Sequence, residues 1–484
     1  MGFKFTSQLL GLARALVQYS YWPAHTEQAH PTPAQARLSA IRRELETVTR
    51  ATSEPLATTC SSQSPGSAIF PAAQRWLEGL LPRGLRSPRP AAPLTPEGSG
   101  EEVVLQGFNW ESWRAADGGR DSWWEHLRRR VDEVQALGFS TVWLPPPTQS
   151  VSPQGYMPCD LYDLDGSYYG SEAELRRLVA ALRARGIKPV ADVVLNHRCA
   201  SARGPEGVYN AFGGRLAWDA TAIVGDDERF AGRGGTRKAA AGHAFFEAAP
   251  NLDHAHPGVK SDLVDWLRWL RRDAAFAVGE FWDGLRYEAD GRPSHCQAAH
   301  RARLARWVCE TGGAACAFDI TTKGVLHAAL EHGEFWRLRD AEGRAPGLIG
   351  FWPARAVTFV ENHDTGSTQG HWRFPAARVG QGYAYILTHP GTPCVFYDHA
   401  FLWEGGLREA VAALVAARRP RAVLRILRAE QGLYAAEVDG RLAVKLGHEA
   451  WQPAGPRLGR RRLGRPVGRL GARLRRHCWS EPML

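Results

Sequence analysis

The stretch Ala356-Val-Thr-Phe-Val-Glu-Asn-His-Asp364-Thr-Gly-Ser-Thr368 changes character half-way along. Its first residues are β-branched, aromatic or small, the composition of a buried strand. Glu361, Asn362, His363 and Asp364 then follow in succession before a Gly-Ser loop. A parallel strand that ends in titratable side chains is how a β/α barrel displays chemistry, because the loops at the C-terminal ends of its strands share one rim. Alone, Asp364 reads equally well as a helix cap satisfying backbone amides. Further stretches repeat the pattern. Ala191-Asp192-Val-Val-Leu-Asn196-His197 ends a strand in an acid, an amide and an imidazole. Ala277-Val-Gly-Glu280-Phe-Trp282 sets one carboxyl among aromatics, where desolvation raises its pKa toward what a general acid needs near neutral pH. Gly155-Tyr156-Met157-Pro158 offers an aromatic face in the loop after the second strand. Singly, each has a packing explanation; jointly they fall where a barrel puts its site.

Outward from these stretches the chain alternates. Strands over 103–109, 141–144, 189–195, 275–281, 315–320, 356–360 and 393–397 are separated by helices over 121–137, 171–185, 257–272, 298–308, 322–331, 378–387 and 407–418. Repeated β-then-α units give a parallel sheet with right-handed crossovers, here a barrel. Residues 196–256 interrupt it as an irregular, Gly-rich excursion, a length normally functional inside a compact fold. Beyond Pro420, the runs 433–438 and 442–446 flank Asp439-Gly440, a close antiparallel hairpin. The expected organisation is a targeting or disordered extension over 1–98, a catalytic barrel over 101–419 with its 196–256 excursion, a β domain over 420–455, and a disordered Arg-rich tail over 456–484.

At 484 residues and 44% hydrophobic, the chain can bury a large core. Its net charge of +10 hints at nucleic acid, but residues 457–476 alone hold nine Arg and no acid, so the folded body is close to neutral. No basic face with interleaved aromatics appears there, which sets nucleic-acid binding aside. Eight Cys lie scattered without paired spacing, against a zinc site or disulfide scaffold. No apolar run approaches the ~20 residues of a membrane span. The first 26 residues carry Lys4 and Arg14 but no acid, which suggests a plastid transit segment, with the cytoplasm as alternative.

Eight segments resemble the α-amylase family of glycoside hydrolases, in its plant-type branch. They are QGFNWESW (106–113), VWLPPP (142–147), QGYMPCDLYDLD (154–165), ADVVLNHR (191–198), AFAVGEFW (275–282), FDITTKG (318–324), VENHDTGSTQ (360–369) and QGYAYILTHPGTPCVFYDH (381–399). The resemblance implies a (β/α)8-type barrel, a calcium-binding excursion after the third strand, a small C-terminal antiparallel β domain, and endo-hydrolysis of α-1,4-glucosidic bonds in starch or related glucans with retained anomeric configuration. Carried over residue by residue, it implies Glu280 as general acid/base and Asp364 as the carboxylate that stabilises the transition state. It implies Tyr156, His197 and His363 as substrate contacts, and Asn196 with Asp227 as calcium ligands. A monomer is expected.

One departure matters. A retaining mechanism needs a carboxylate nucleophile about 5 Å from the acid, which the family carries on its fourth strand two residues after an Arg. Here the helix over 257–272 reaches Asp273 and runs straight into the strand of Glu280. Seven strands are visible, and one β/α unit of about thirty residues, an eighth of a ~250-residue barrel, is absent. Asp273 cannot substitute: seven residues upstream of Glu280 at ~3.3 Å each puts it roughly 20 Å away, at the opposite end of the barrel. The calcium site also looks incomplete, since 230–249 is mostly Gly, Ala, Arg and Phe. The Arg-Leu-Gly repetition of 456–476 resembles GC-rich coding read out of frame, so the sequence is read as lacking an exon, tested by the transcript across codons 273 to 274. The alternative function is a catalytically inactive glucan-binding protein.

Overall fold

The computed structural model describes residues 102–116, 121–230, 248–270, 277–282, 284–311, 315–418, 424–440 and 442–453, with the backbone of 473–476. The extension over 1–98, Asp273 and the 273–274 junction lie outside the described residues.

Strands β1 (Val104–Gln106), β2 (Thr141–Leu144) and β3 (Lys188–Ala191) come first. The excursion adds a hairpin of β4 (Ala202–Arg203) and β5 (Tyr209–Ala211), and β6 (Val278–Gly279), β7 (Cys316–Phe318), β8 (Ala356–Phe359) and β9 (Thr392–Phe396) follow. Seven of these form one sheet in the order β3-β2-β1-β9-β8-β7-β6, every pair parallel. The first and last barrel strands meet with Val104 opposite Cys394, so the chain ends of the barrel are joined.

The seam is on the other side. β3 and β6 are the two ends of the sheet and do not pair. Parallel strands are normally covered on both faces and read as fully buried, as β2, β8 and β9 are. By contrast β3 exposes Lys188 and Ala191 and buries its middle only partly, and both residues of β6 are half-buried. Among the described residues the sheet has seven strands, one fewer than an eight-fold barrel, as the seven-strand count anticipates. The sheet still curls, bringing Asp192 just past β3 and Glu280 just past β6 within electrostatic reach of one another.

The helix expected over 121–137 is two: α1 (Trp123–Arg129) and α2 (Val131–Ala136). At Arg130 (φ −97°, ψ 2°) the backbone N–H closes on Leu127 O at 2.9 Å, a tightened turn that re-aims the second half. Trp123, Trp124, Leu127, Val131 and Val134 are all buried, so the apolar period runs through the break and conceals it. Helix α3 (Glu172–Ala184) begins at a capping box in which Ser171 and Glu174 exchange bonds. The later helices are α4 (Pro257–Leu270), α5 (Ala298–Glu310), α6 (Ile320–His332), α7 (Val379–Thr388), α8 (Tyr397–Phe401) and α9 (Leu407–Ala417). Ile320 belongs to α6 and not to the preceding strand, because the Asp319 carboxylate caps the helix by accepting from Thr322 N at 2.9 Å.

The excursion is better organised than its composition suggests. Buried Arg198 donates to the carbonyls of Cys159, Leu216 and Gly213 at 2.6, 2.6 and 2.7 Å, folding the loop around one guanidinium. Phe212, Leu216, Ile223 and Leu252 then pack against Leu263 and Trp266 of α4 as a second hydrophobic cluster. At the other end of the chain, β10 (Leu424–Glu430), β11 (Leu433–Val438), β12 (Leu442–Gly447) and β13 (Arg473–Arg476) form an antiparallel sheet in that order. Asp439 and Gly440 turn β11 into β12 with φ of 54° and 65°, the left-handed pair that close hairpins require. Within the tail read as disordered, the backbone of 473–476 lies beside the edge of β12, with Leu442 opposite Arg476 and Lys445 opposite Arg473.

Candidate active site

Glu280, Asp364, Tyr156 and His363 meet at the C-terminal rim of the sheet, Glu280, His363 and Asp364 within five residues of the ends of their strands and Tyr156 in the longer loop after β2, as barrel geometry dictates. Glu280 follows β6. Trp282 Nε1 donates to its Oε2 at 3.1 Å, while Oε1 is sealed from solvent and has no hydrogen-bond partner. The residue as a whole is half-buried, but its exposure lies away from the carboxyl, and the carboxyl governs the titration. Burial, then the charges of Asp364 and Asp192, push Glu280 up from an ordinary 4.5 to about 8. It therefore holds a proton at neutral pH, the state a general acid needs.

Asp364 follows β8 and is partly open, its side chain 29% exposed and its Oδ1 3.5 Å from His363 Nε2. Gln106 at the end of β1 donates its Nε2–H to His363 Nδ1 at 2.8 Å, which leaves Nε2 as the protonated nitrogen facing Asp364. The ring of His363 lies parallel to Tyr156 (5.1 Å, 1°) and to Trp110 (6.2 Å, 3°), and Trp110 lies parallel to Tyr156 (5.7 Å, 4°). These three rings make an aromatic platform of the kind that the apolar faces of a pyranose stack on. Tyr156 in turn donates its hydroxyl to Asp192 Oδ2 at 2.9 Å, and Trp143 Nε1 donates to the same oxygen at 3.2 Å. Burial pushes Asp192 up to about 6; His363 and the Tyr156 bond oppose the rise, and Asp364 adds to it.

His197 is placed differently from the expectation of a sugar contact. It is 1% exposed, and its Nε2 donates to Tyr156 O at 2.8 Å. Burial holds it down at about 4, so it is neutral at physiological pH. It fastens the platform from behind.

Asn196 and Asp227 do come together, through Asn251. Asn196 Nδ2 donates to Asn251 Oδ1 at 2.8 Å, and Asn251 N donates to Asp227 Oδ2 at 3.2 Å. Burial raises the buried Asp227 carboxyl. Oxygen-bearing, with Asp227 and Asn251 buried and Asn196 half-buried, the trio suits a hard cation in kind but not in number, since Ca2+ takes about six to eight oxygens. Among the described residues no group of three or more His, Cys, Asp and Glu converges as a metal site.

Sequence reasoning missed Trp110 as a member of the site and marked Asp192 at its strand end without giving it a role. The signal existed for both: Trp110 stands in the loop after β1 and Asp192 immediately past β3, the same rim positions that singled out Glu280 and Asp364.

Residues 111–208 match the family described as "Alpha amylase, catalytic domain" and residues 418–460 the one described as "Alpha-amylase C-terminal beta-sheet domain". "Probable alpha-amylase 2" of Arabidopsis thaliana is 41% identical over 389 positions, covering 74% of this chain and 90% of its own. The chain belongs to the α-amylase family. "Alpha-amylase 3, chloroplastic" of the same plant is 47% identical over 388 positions, covering 74% of this chain and 42% of its own, so the chain spans less than half of that relative. An α-amylase structure from Malbranchea cinnamomea shares the fold at a TM-score of 0.50 and 18% identity, over 73% of this chain and 86% of that one. The two plant alignments carry a further message. At 74%, each uses about 358 of the 484 residues here, so about thirty positions of each α-amylase stand opposite nothing in this chain. That is the length of one β/α unit.

Proposed function

We propose that this protein cleaves internal α-1,4-glucosidic bonds of starch-type glucans. One observation carries the reading: a buried carboxyl, Glu280, kept protonated to about pH 8 by burial and by two facing carboxylates at the rim of a barrel. A glucan chain lies across the Trp110–Tyr156–His363 platform. Glu280 gives its proton to the departing glycosidic oxygen, and the Asp364 carboxylate faces the positive charge that develops on the sugar ring. Neutral His197 holds Tyr156 in place without adding charge.

Retention of configuration needs, in addition, a nucleophilic carboxylate about 5 Å from the acid. Its strand belongs in the seam between β3 and β6, and we propose that a β/α unit of the length missing from the alignments fills it in the active protein. A glucan-binding protein without catalysis has less in its favour, because a binding site gains nothing from a buried carboxyl whose Oε1 lacks a partner. Calcium is a narrower proposal. Asn196, Asn251 and Asp227 would supply oxygens to it as a structural ion, no catalytic step runs through it, and a chelator that leaves the melting temperature unchanged refutes it. The activity is tested by incubating the protein made from the full transcript with soluble starch and following new reducing ends; none formed overturns the proposal.

A further inference from the structure

We propose that Asp192 is a positioning residue of this site: it ties the aromatic platform to strand β3 and sets its charge against Glu280. The inference rests on the reading of Glu280 as the acid, and three observations carry it. First, Asp192 is fixed from two sides. Its backbone N–H extends the β2–β3 ladder by one rung, to Leu144 O at 3.0 Å, while its side chain receives Tyr156 OH and Trp143 Nε1 on one oxygen, Oδ2. Second, among the described residues β3 is an end strand, so on this chain the carboxylate is held by its own bonds and not by a neighbour on that side. The two side-chain bonds supply what a neighbouring strand otherwise would. Third, the groups that face Glu280 come from five different segments: Asp192 past β3, Asp364 past β8, Tyr156 past β2, Trp282 beside it, and Cys394 on β9. Asp192 and Asp364 are the acids among them. Facing Asp192 itself are His363, Asp364, Tyr156, Trp143 and Tyr169. The imidazole of His363, 3.5 Å from Asp364, thus acts on Asp192 as well, and the charges of Asp192 and Asp364 both act on Glu280.

The packing of Tyr156 alone predicts nothing about the titration of Glu280, and that separates a positioning role from a structural one. The full chain is labelled with 13C at Glu and Asp carboxyls, and the Glu280 resonance is assigned by its loss in Glu280→Gln. Asp192→Asn keeps an oxygen for Tyr156 and Trp143 and removes the charge. The Glu280 midpoint then moves to lower pH, and Asp364→Asn moves it further, in keeping with the larger effect of Asp364. An unchanged midpoint in Asp192→Asn overturns the proposal. If that variant does not fold, the native spectrum decides: coupled groups feel each other's ionisation, so the Glu280 resonance carries a second inflection near pH 6, where Asp192 titrates. A single, unperturbed Glu280 curve overturns it equally. Neither readout requires turnover, so absence of starch hydrolysis alongside a shifted midpoint removes the proposed activity and leaves the positioning role standing. Where hydrolysis is measured, the alkaline limb of kcat/KM moves down with the same midpoint.

Discussion

Glu280→Gln removes a buried ionisable group while keeping its shape, so its effect on stability varies with pH in a calculable way. In the folded chain the carboxyl titrates at about 8 against an ordinary 4.5. Below about pH 4.5 it is protonated in the folded and unfolded states alike, and the substitution changes little. Between these two values the unfolded chain has ionised and the folded one still holds its proton. The folded state therefore loses stability steadily as pH rises, and the loss levels off once the folded group ionises as well. At 1.36 kcal/mol per pH unit, the whole interval amounts to about 5 kcal/mol. That figure is a ceiling, because Asp364 and Asp192 contribute to it and rearrange when the charge is gone. Glu280→Gln thus stabilises the protein relative to native by almost nothing at about pH 5 and by several kcal/mol at about pH 8.5. Urea midpoints of the two proteins, measured in half-unit steps of pH and compared at a common denaturant slope, give the difference directly. A difference that does not change with pH refutes the reasoning, since it means that Oε1 is reached by water or by a donor in the folded state.

Tyr156→Phe removes the hydroxyl that meets Asp192 at 2.9 Å; a bond to a charged acceptor is worth about 1.5–3 kcal/mol, and a thermal melt should record a loss of that order. Amide exchange should separate the sheet into halves, with β3 and β6 exchanging well before β2 and β8, because only the former lack a partner on one side; uniform protection contradicts the open seam. The transcript should carry about thirty further codons between those for Leu270 and Ala277, matching the positions of the plant α-amylases without counterpart here; a contiguous junction removes that explanation of the seam.

The strands were legible from composition, and the missing stave from the direct run of the helix ending at Leu270 into the strand of Glu280, because both are local facts. The break at Arg130 was not, since buried positions keep the same apolar period on either side of it and only a backbone turn distinguishes two helices from one. At the site, the rim rule pointed to Glu280, Asp364, Tyr156 and His363, which lie together at one rim. It read His197 as a sugar contact, whereas the ring turns back onto the carbonyl of Tyr156, and nothing in a sequence tells which way an imidazole past a strand turns. It passed over Asp192 because a lone Asp after a strand has a ready explanation as a cap, and only the meeting of Tyr156 and Trp143 on one of its oxygens shows otherwise.

The central claim is that Glu280 is the proton donor of an α-glucan hydrolase. The most direct measurement is the initial rate of reducing-end release from soluble starch by the native protein and by Glu280→Gln, side by side near neutral pH. The account predicts turnover by the native protein and a loss of at least about a hundredfold in the variant, the scale on which a general acid contributes. Equal rates in the two proteins contradict it.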